Sequence, residues 1–234
     1  MITDPKKLSK HLGLKYYTPF AMLFVAVLII TNIITQKIVP IGFGLILTAG
    51  DFIYPITYII SMILTEVYGY ALSRRVIWCG LACNLLIVGV VKFAIFLPAA
   101  TIWTEQAQFA NIIGRTTQLV FASFTAFVVG EFLNTYILAK LKVFTEGKYL
   151  WMRGFAATLI GQAIDSTVFT CIAFWHILHL HDAIVLNTTV YVSKILYLLV
   201  LTPLIYWLAR FLKKHEGVDI YDTHTNFNPF NLGV

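Results

Sequence analysis

Val128-Val129-Gly130-Glu131-Phe132-Leu133-Asn134-Thr135-Tyr136-Ile137-Leu138 sits deep in an apolar run that covers roughly residues 116–140. A matched element, Gly161-Gln162-Ala163-Ile164-Asp165-Ser166, interrupts the next apolar run. Each reads glycine, an acid or its amide, two apolar residues, an amide or acid, then a hydroxyl. A helix needs about 20 apolar residues to cross a bilayer, and both runs are that long. A charged group at such a depth costs about 2.5 kcal/mol or more, so it marks a functional site by default. Two matched copies on neighbouring helices point to a polar ligand site inside a membrane protein.

Composition agrees. Hydrophobic residues make up 59% of the 234-residue chain and charged residues only 12%, half the share of about 25% found in soluble domains. Mean hydropathy is +0.81. No polar stretch is long enough for a soluble domain, so the chain reads as one integral membrane domain. The net charge of +6 does not imply nucleic acid, because the bases lie in short segments beside apolar runs rather than in a stripe with stacking aromatics. Cys79, Cys83 and Cys171 lie inside apolar runs and read as small buried packing residues, not as a disulfide framework.

Six apolar segments are long enough to span, at roughly 17–36, 52–73, 76–98, 116–140, 154–178 and 185–209. The expected fold is therefore an all-α integral membrane protein, a bundle of six transmembrane helices. The run from Tyr16 to about Ile34 exceeds a signal-peptide core and lacks a clear cleavage site, so it reads as a retained first helix. Breakers and charges separate the segments: Pro40 with Gly42 and Gly44, Arg74-Arg75, the stretch from Pro98 to Arg115, Glu146-Gly147-Lys148, and His181-Asp182. Most of the 17 Lys and Arg fall on one predicted side: Lys6, Lys7, Lys10, Lys15, Arg74, Arg75, Lys140, Lys142, Lys148, Arg153, Arg210, Lys213 and Lys214. Both termini are thus expected in the cytoplasm. The layout is a basic N-terminus (1–15), a six-helix domain (16–210) and a cytoplasmic tail (211–234).

Depths follow from the helical rise. Asp165 lies about 18 Å and Glu131 about 14 Å above the nearest cytoplasmic bases, close to the middle of a hydrocarbon core about 30 Å thick. Asn84, counted from Arg75, falls at the same level. Glu131 with Asn134, and Gln162 with Asp165, are three residues apart and share helix faces, and Thr158 extends the second face. A midplane cluster of Asn84, Glu131, Asn134, Thr158, Gln162 and Asp165 is expected to hold a ligand; interhelical polar glue is the bland alternative. Glu66, about 12 Å deep, is too far in to snorkel and joins the candidates. Lys92, Arg115 and Lys194 lie toward the outer half, where they can form a vestibule, neutralise Glu66, Glu131 and Asp165, or snorkel.

His176, His179, His181 and Asp182 can suggest a metal site, but nothing completes the ligand set and an interfacial turn is the simpler reading. No metal or cofactor is expected. Trp103, Trp151, Trp175 and Trp207 fall near predicted interfaces as anchors, with Trp78 just inside.

Longer strings carry a family resemblance. Phe52-Ile53-Tyr54-Pro55-Ile56-Thr57-Tyr58-Ile59-Ile60 is followed by Thr65-Glu66-Val67-Tyr68-Gly69-Tyr70 and Arg74-Arg75-Val76-Ile77-Trp78. Trp151-Met152-Arg153 leads to Gly161-Gln162 and Asp165-Ser166-Thr167-Val168-Phe169. The tail holds Glu216-Gly217-Val218-Asp219-Ile220-Tyr221-Asp222 and Asn226-Phe227-Asn228-Pro229-Phe230. In this order and spacing the chain resembles the queuosine precursor transporters of the vitamin uptake transporter group, from about residue 20 onward. One departure stands out: that pattern usually has an aspartate four residues before Glu66, and here the residue is Met62.

The resemblance implies import of 7-cyano-7-deazaguanine, 7-aminomethyl-7-deazaguanine or queuine across a bacterial cytoplasmic membrane. The midplane chemistry is compatible. A guanine-like edge offers N–H donors to a carboxylate and a carbonyl to an amide. Asp165 or Glu131 is expected to take the donor edge and Gln162, Asn134 or Asn84 the carbonyl, with Glu66, Lys194 and Thr158 in support. The partners are then a small nucleobase-like molecule and the lipid bilayer, with a homodimer compatible with the small size and no nucleic acid. The alternative is a substrate-binding membrane subunit for a vitamin-like molecule, served by a separate ATP-driven module; the chain itself has no Gly-rich Lys-Ser/Thr loop. An intramembrane enzyme would need a nucleophile–base pair or metal set at one depth, and no such set is evident, so the chain is read as a non-enzyme.

Overall fold

A computed structural model describes residues 14–35, 37–42, 45–114, 116–174, 180–223 and 225–230. Lys6, Lys7, Lys10, Gly44, Arg115, Trp175, His176 and His179 lie outside the described residues. The elements run α1 (Tyr17–Ile34), β1 (Ile38–Gly42), β2 (Leu45–Thr48), a 3-10 turn (Ala49–Phe52), α2 (Pro55–Tyr68), α3 (Tyr70–Phe96), α4 (Gln106–Gly114), α5 (Thr116–Phe144), α6 (Leu150–Phe174) and α7 (Leu180–Glu216). Among the described residues, α1, α3, α5, α6 and α7 are the 5 helices long and apolar enough to cross a membrane. The chain is a predominantly helical, multi-pass membrane protein.

Two local features depart from the expected layout. The breaker-rich link after α1 forms an antiparallel hairpin, pairing Ile38 with Thr48 and Val39 with Leu47, with a bulge between Pro40 and Gly42. The second apolar segment, expected over 52–73, yields a helix of only 14 residues. It starts at Pro55, whose missing N–H is no loss in the first turn. It stops at Gly69, where φ is 81° and a side chain would collide with Ile220 Cγ2 at 2.7 Å. Arg74 and Arg75, expected in a loop, therefore lie inside α3. The chain turns through Gly69 alone, and Thr65 Oγ1 bonds Ser73 Oγ across the break at 3.1 Å.

The short α2 is the most enclosed helix of the set. Residues 57–68 are all buried, and they meet α1, α3, α5 and α7. Phe24, Ile63, Val67, Leu81, Phe127, Leu138 and Leu212 form the apolar centre around it. The cysteines do not belong to that centre. Cys79 and Cys171 are exposed on the outer face and Cys83 is half-buried, which corrects the expectation of buried thiols.

The start of α1 and the end of α7 meet at one end of the bundle. Tyr16 N–H donates to Glu216 Oε1 at 2.6 Å, and Tyr68 Oη donates to the same oxygen at 3.2 Å. Residues beyond α7 do not trail away. Ile220 N–H bonds Val67 O, and Asp222 Oδ2 accepts the Tyr70 N–H at 3.0 Å, capping the start of α3. Farther along, Arg74 donates to Asn226 O and Asn228 O, and Trp78 Nε1 donates to Pro229 O, all at 2.7 Å. The tail is a strap over α2 and α3.

Candidate functional site

The sequence-predicted residues sort into three neighbourhoods. The first surrounds a cavity of about 180 Å3 at the end of the bundle away from the start of α1 and the end of α7. Asp165 and Lys194 line it, joined at 2.9 Å between Oδ2 and Nζ, and Lys194 Nζ also reaches Ser166 Oγ at 3.3 Å. Both are nearly inaccessible, at 5% and 6% exposure, so each charge depends on the other. The ammonium stands 5.0 Å from the Tyr54 ring centre and 5.8 Å from that of Tyr58, within cation–π range. Lys194 therefore neutralises Asp165, as one of the sequence options had it, and does not reach Glu66.

The rest of this wall comes from residues not singled out as ligands in the sequence. Thr31, Asn32 and Thr35 arrive from the last turns of α1, Ser123 from α5, and Phe169 and Thr170 from α6. Thr48, Gly50, Asp51 and Tyr54 close the cavity from the hairpin side. Thr48 and Asp51 form a capping box: Asp51 Oδ2 accepts from Thr48 N and Oγ1 at 2.9 and 2.8 Å, and Asp51 N–H returns to Thr48 Oγ1. This fixes the 3-10 turn and with it Tyr54. The available signals were Thr31-Asn32 and Thr35, polar at helical spacing inside an apolar run, and the Thr-x-x-Asp box before Tyr54-Pro55.

Asn84 lies one bond behind this wall. Its Oδ1 accepts from Asn32 Nδ2 at 2.5 Å, its own Nδ2 donates to Gly80 O, and Ser123 Oγ donates to Asn32 Oδ1 at 3.3 Å. Asn84 thus orients the Asn32 amide.

The second neighbourhood is the α5/α6 seam, where the two matched motifs pack reciprocally. A Cβ added at Gly130 would stand 2.6 Å from Asp165 Cβ, and one at Gly161 would stand 2.8 Å from Asn134 Cβ. Each glycine receives the fourth residue after the other, which is the close antiparallel approach that small residues permit in membranes. Glu131, Asn134, Thr158 and Gln162 are buried in this region, outside the cavity wall. Glu131 Oε1 accepts from Ser61 Oγ of α2.

Glu66 occupies the third neighbourhood, at the end where the start of α1 and the end of α7 meet. Arg153 Nη1 and Nη2 grip its carboxylate at 2.7 and 3.3 Å, and Lys213 Nζ adds a bond at 2.5 Å. Lys142 Nζ donates to Glu66 O, Asp219 Oδ1 and Ile220 O at 2.5–2.6 Å. The sequence count placed Lys142, Arg153 and Lys213 in loops or tails. They lie in the last turn of α5, the first turn of α6 and the last turns of α7, and their long side chains turn inward to Glu66. Arg153 and Asp165 are separated by about 18 Å along α6, so Glu66 is remote from the cavity. Lys92 is exposed on α3, and His181 opens α7 away from the cavity wall. Among the described residues no group of three or more His, Cys, Asp or Glu gathers to hold a metal ion.

Membrane-crossing helices around a small cavity with a buried carboxylate–ammonium pair define a multi-pass membrane protein with an internal polar cavity. A family model described as "Putative vitamin uptake transporter" matches residues 48–208, well over half of the sequence, and the chain belongs to that family. It is similar to the "Probable queuosine precursor transporter" of Bacillus subtilis (strain 168), 27% identical over 133 residues, or 56% of this chain and 58% of that protein. It is also similar to the "Queuosine precursor transporter" of Escherichia coli (strain K12), 27% identical over 163 residues, or 69% of this chain and 71% of that one. The Bacillus match thus spans less than two thirds of that relative's length. Both relatives are named as transporters, not as enzymes. No solved structure matches.

Proposed function

We propose that the chain imports a queuosine precursor, a bare 7-deazaguanine-type base, across the bacterial cytoplasmic membrane, and that it binds the base in the Asp165–Lys194 cavity. The observation that carries this reading is the cavity itself. At about 180 Å3 it is smaller than the ~300–1,000 Å3 typical of drug-sized sites, which suits a fused-ring base without ribose or phosphate. Asp165 accepts the N1–H and exocyclic amine of the base, Lys194 moves from Asp165 to the ring carbonyl, and Asn32 and Ser123 offer further polar contacts. Tyr54 and Phe169 supply apolar faces for the ring. Glu131, Asn134, Thr158 and Gln162 lie outside this wall and make no contact with the base.

Six crossings complete the topology, with the hairpin, the 3-10 turn and α2 together making the second. Both termini lie in the cytoplasm, because the start of α1 and the end of α7 gather with Lys142, Arg153 and Lys213 at one end of the bundle. The cavity then lies toward the outside, where an imported base first arrives. The relatives are named as transporters in their own right, which favours a self-contained carrier over a binding subunit for a separate ATP-driven module.

The test is uptake by the purified chain alone in liposomes, using a panel of deazapurines, pteridines and purines. A 7-deazaguanine base is expected to be accumulated or exchanged, and Asp165→Ala is expected to abolish this. Normal uptake by Asp165→Ala, or selective uptake of a pteridine, would overturn the assignment.

A further inference from the structure

Among the described residues, three carboxylates are buried within the helices at 5% exposure or less, and they are not treated alike. Glu66 has Arg153 and Lys213, and Asp165 has Lys194. Among the described residues, Glu131, 1% exposed, meets only the Ser61 hydroxyl, and its Oε2 is buried without a partner. Buried carboxylates are paired, neutralised or occupied by a cation, because an isolated buried charge is too costly to keep.

Its surroundings are also left open. Asn134 Oδ1 and Thr135 Oγ1, one turn along α5 from Glu131, and both polar atoms of Gln162 on α6 are buried without partners among the described residues. The reciprocal Gly130–Asp165 and Gly161–Asn134 contacts set the register of α5 against α6, which places Gln162 within about 3 Å of Glu131 along the helix axis. One carboxylate among neutral amide and hydroxyl oxygens is hard-donor chemistry for a small cation of low charge. Charge counting agrees. Glu131, Asp165 and Lys194 together carry one net negative charge, and one positive charge makes the buried set neutral.

We infer that Glu131 is the centre of a second site, which binds one positive charge, either a proton on its carboxylate or a sodium ion among its oxygens, and couples that charge to movement of the base. The inference rests on the carrier reading. The link to the ligand site is direct: Gly130, the residue before Glu131, packs on Asp165. The ionisable groups around Glu131 among the described residues are Asp165 of α6 and Tyr54 and Tyr58 at the start of α2, and the two tyrosines in turn contact Lys194. A cation at Glu131 lowers the negative potential at Asp165 and so changes how firmly Asp165 holds Lys194 or the base. Cation sites beside a midplane substrate site are the general means by which carriers couple gradients to transport.

The experiment uses the purified full chain in two readouts. In proteoliposomes, base uptake is driven by an imposed proton gradient or by an imposed sodium gradient, and is compared with base-for-base counterflow, which needs no gradient. One of the two gradients is expected to stimulate wild-type uptake several-fold, which identifies the cation. Glu131→Gln is expected to lose that stimulation while counterflow persists, with Ser61→Ala as a milder second variant. In detergent without substrate, thermal unfolding is expected to respond to sodium or to acid more strongly in the wild type than in Glu131→Gln, the response of the variant being the part that belongs to other groups. The inference is overturned if counterflow proceeds but neither gradient acts, or if Glu131→Gln keeps the gradient response. It is equally overturned if the wild-type and Glu131→Gln melting curves respond alike. The melting readout needs no base, so failure of the substrate assignment does not mask failure of the cation site.

Discussion

Replacing Gly130 by alanine tests the seam that brings the two polar motifs together. The new Cβ would stand 2.6 Å from Asp165 Cβ and 3.0 Å from Gly161 O. Carbon atoms pack at about 3.5–4.0 Å, so α5 and α6 must part by about 1 Å at this level. Overpacking of that kind typically costs about 1–3 kcal/mol. Alanine is also the better helix former by about 1 kcal/mol, so the net loss expected is about 0–2 kcal/mol, and about 1–3 kcal/mol relative to an unhindered Gly→Ala change. Gly161→Ala is expected to behave alike, because its Cβ would stand 2.8 Å from Asn134 Cβ. Parting the helices once relieves both collisions, so the double variant is expected to lose less than the sum, by about 0.5 kcal/mol or more. Gly89→Ala is the control, since nothing lies within 4 Å of its Cβ position, and it is expected to be neutral or slightly stabilising. The assay is denaturant unfolding in detergent, followed by tryptophan fluorescence. Strict additivity, or a Gly130→Ala variant as stable as Gly89→Ala, would refute the close reciprocal packing.

Other outcomes follow from the ion pairs and the strap. Lys194→Met leaves Asp165 buried without its cation and is expected to cost about 3–5 kcal/mol, while Lys194→Met with Asp165→Asn recovers most of it; the same unfolding assay decides. Glu66→Gln takes the carboxylate from Arg153 and leaves Lys142 and Lys213 to Asp219 among the described residues, and is expected to destabilise by a similar ~3–5 kcal/mol, read as a lower melting temperature. Asp222→Ala removes the cap on α3 at a cost of about 1 kcal/mol and frees the tail, read as faster proteolysis after residue 217. Burial pushes the Asp222 carboxyl above its usual range, so folding favours its protonated form. Protection of the tail is therefore expected to be greatest in acid and to fall as pH rises through the folded value, and Asp222→Asn is expected to remove that dependence.

Much of the helical membrane character was legible because apolar run length is a local property of a chain. The matched motifs were legible for the same reason: carboxylates and amides stand out in an apolar run. Helical rise also converts residue number to distance along each helix. What this counting lacked was direction around the helix and the reach of long side chains. Glu66 and Asp165 both read as buried acids, yet one is held by Arg153 and the other by Lys194, about 18 Å apart along α6. The inward turn of Lys142, Arg153 and Lys213 depends on which faces α5, α6 and α7 present to α2.

The cavity wall shows the same division. Asp165 and Lys194 were visible as intramembrane charges, but Asn32, Ser123, Thr48 and Asp51 come from three separate parts of the chain and converge only once the helices pack. The sequence alone determined that this is a helical membrane protein with a polar interior and two copies of one motif. Tertiary structure decided that Gly130 and Gly161 interlock the copies, that Asp165 lines the internal cavity beside Lys194 and that Glu131 sits behind it against Ser61. The physical reason is that hydropathy and spacing act along the chain, whereas a carboxylate's role depends on which charges other helices bring to it.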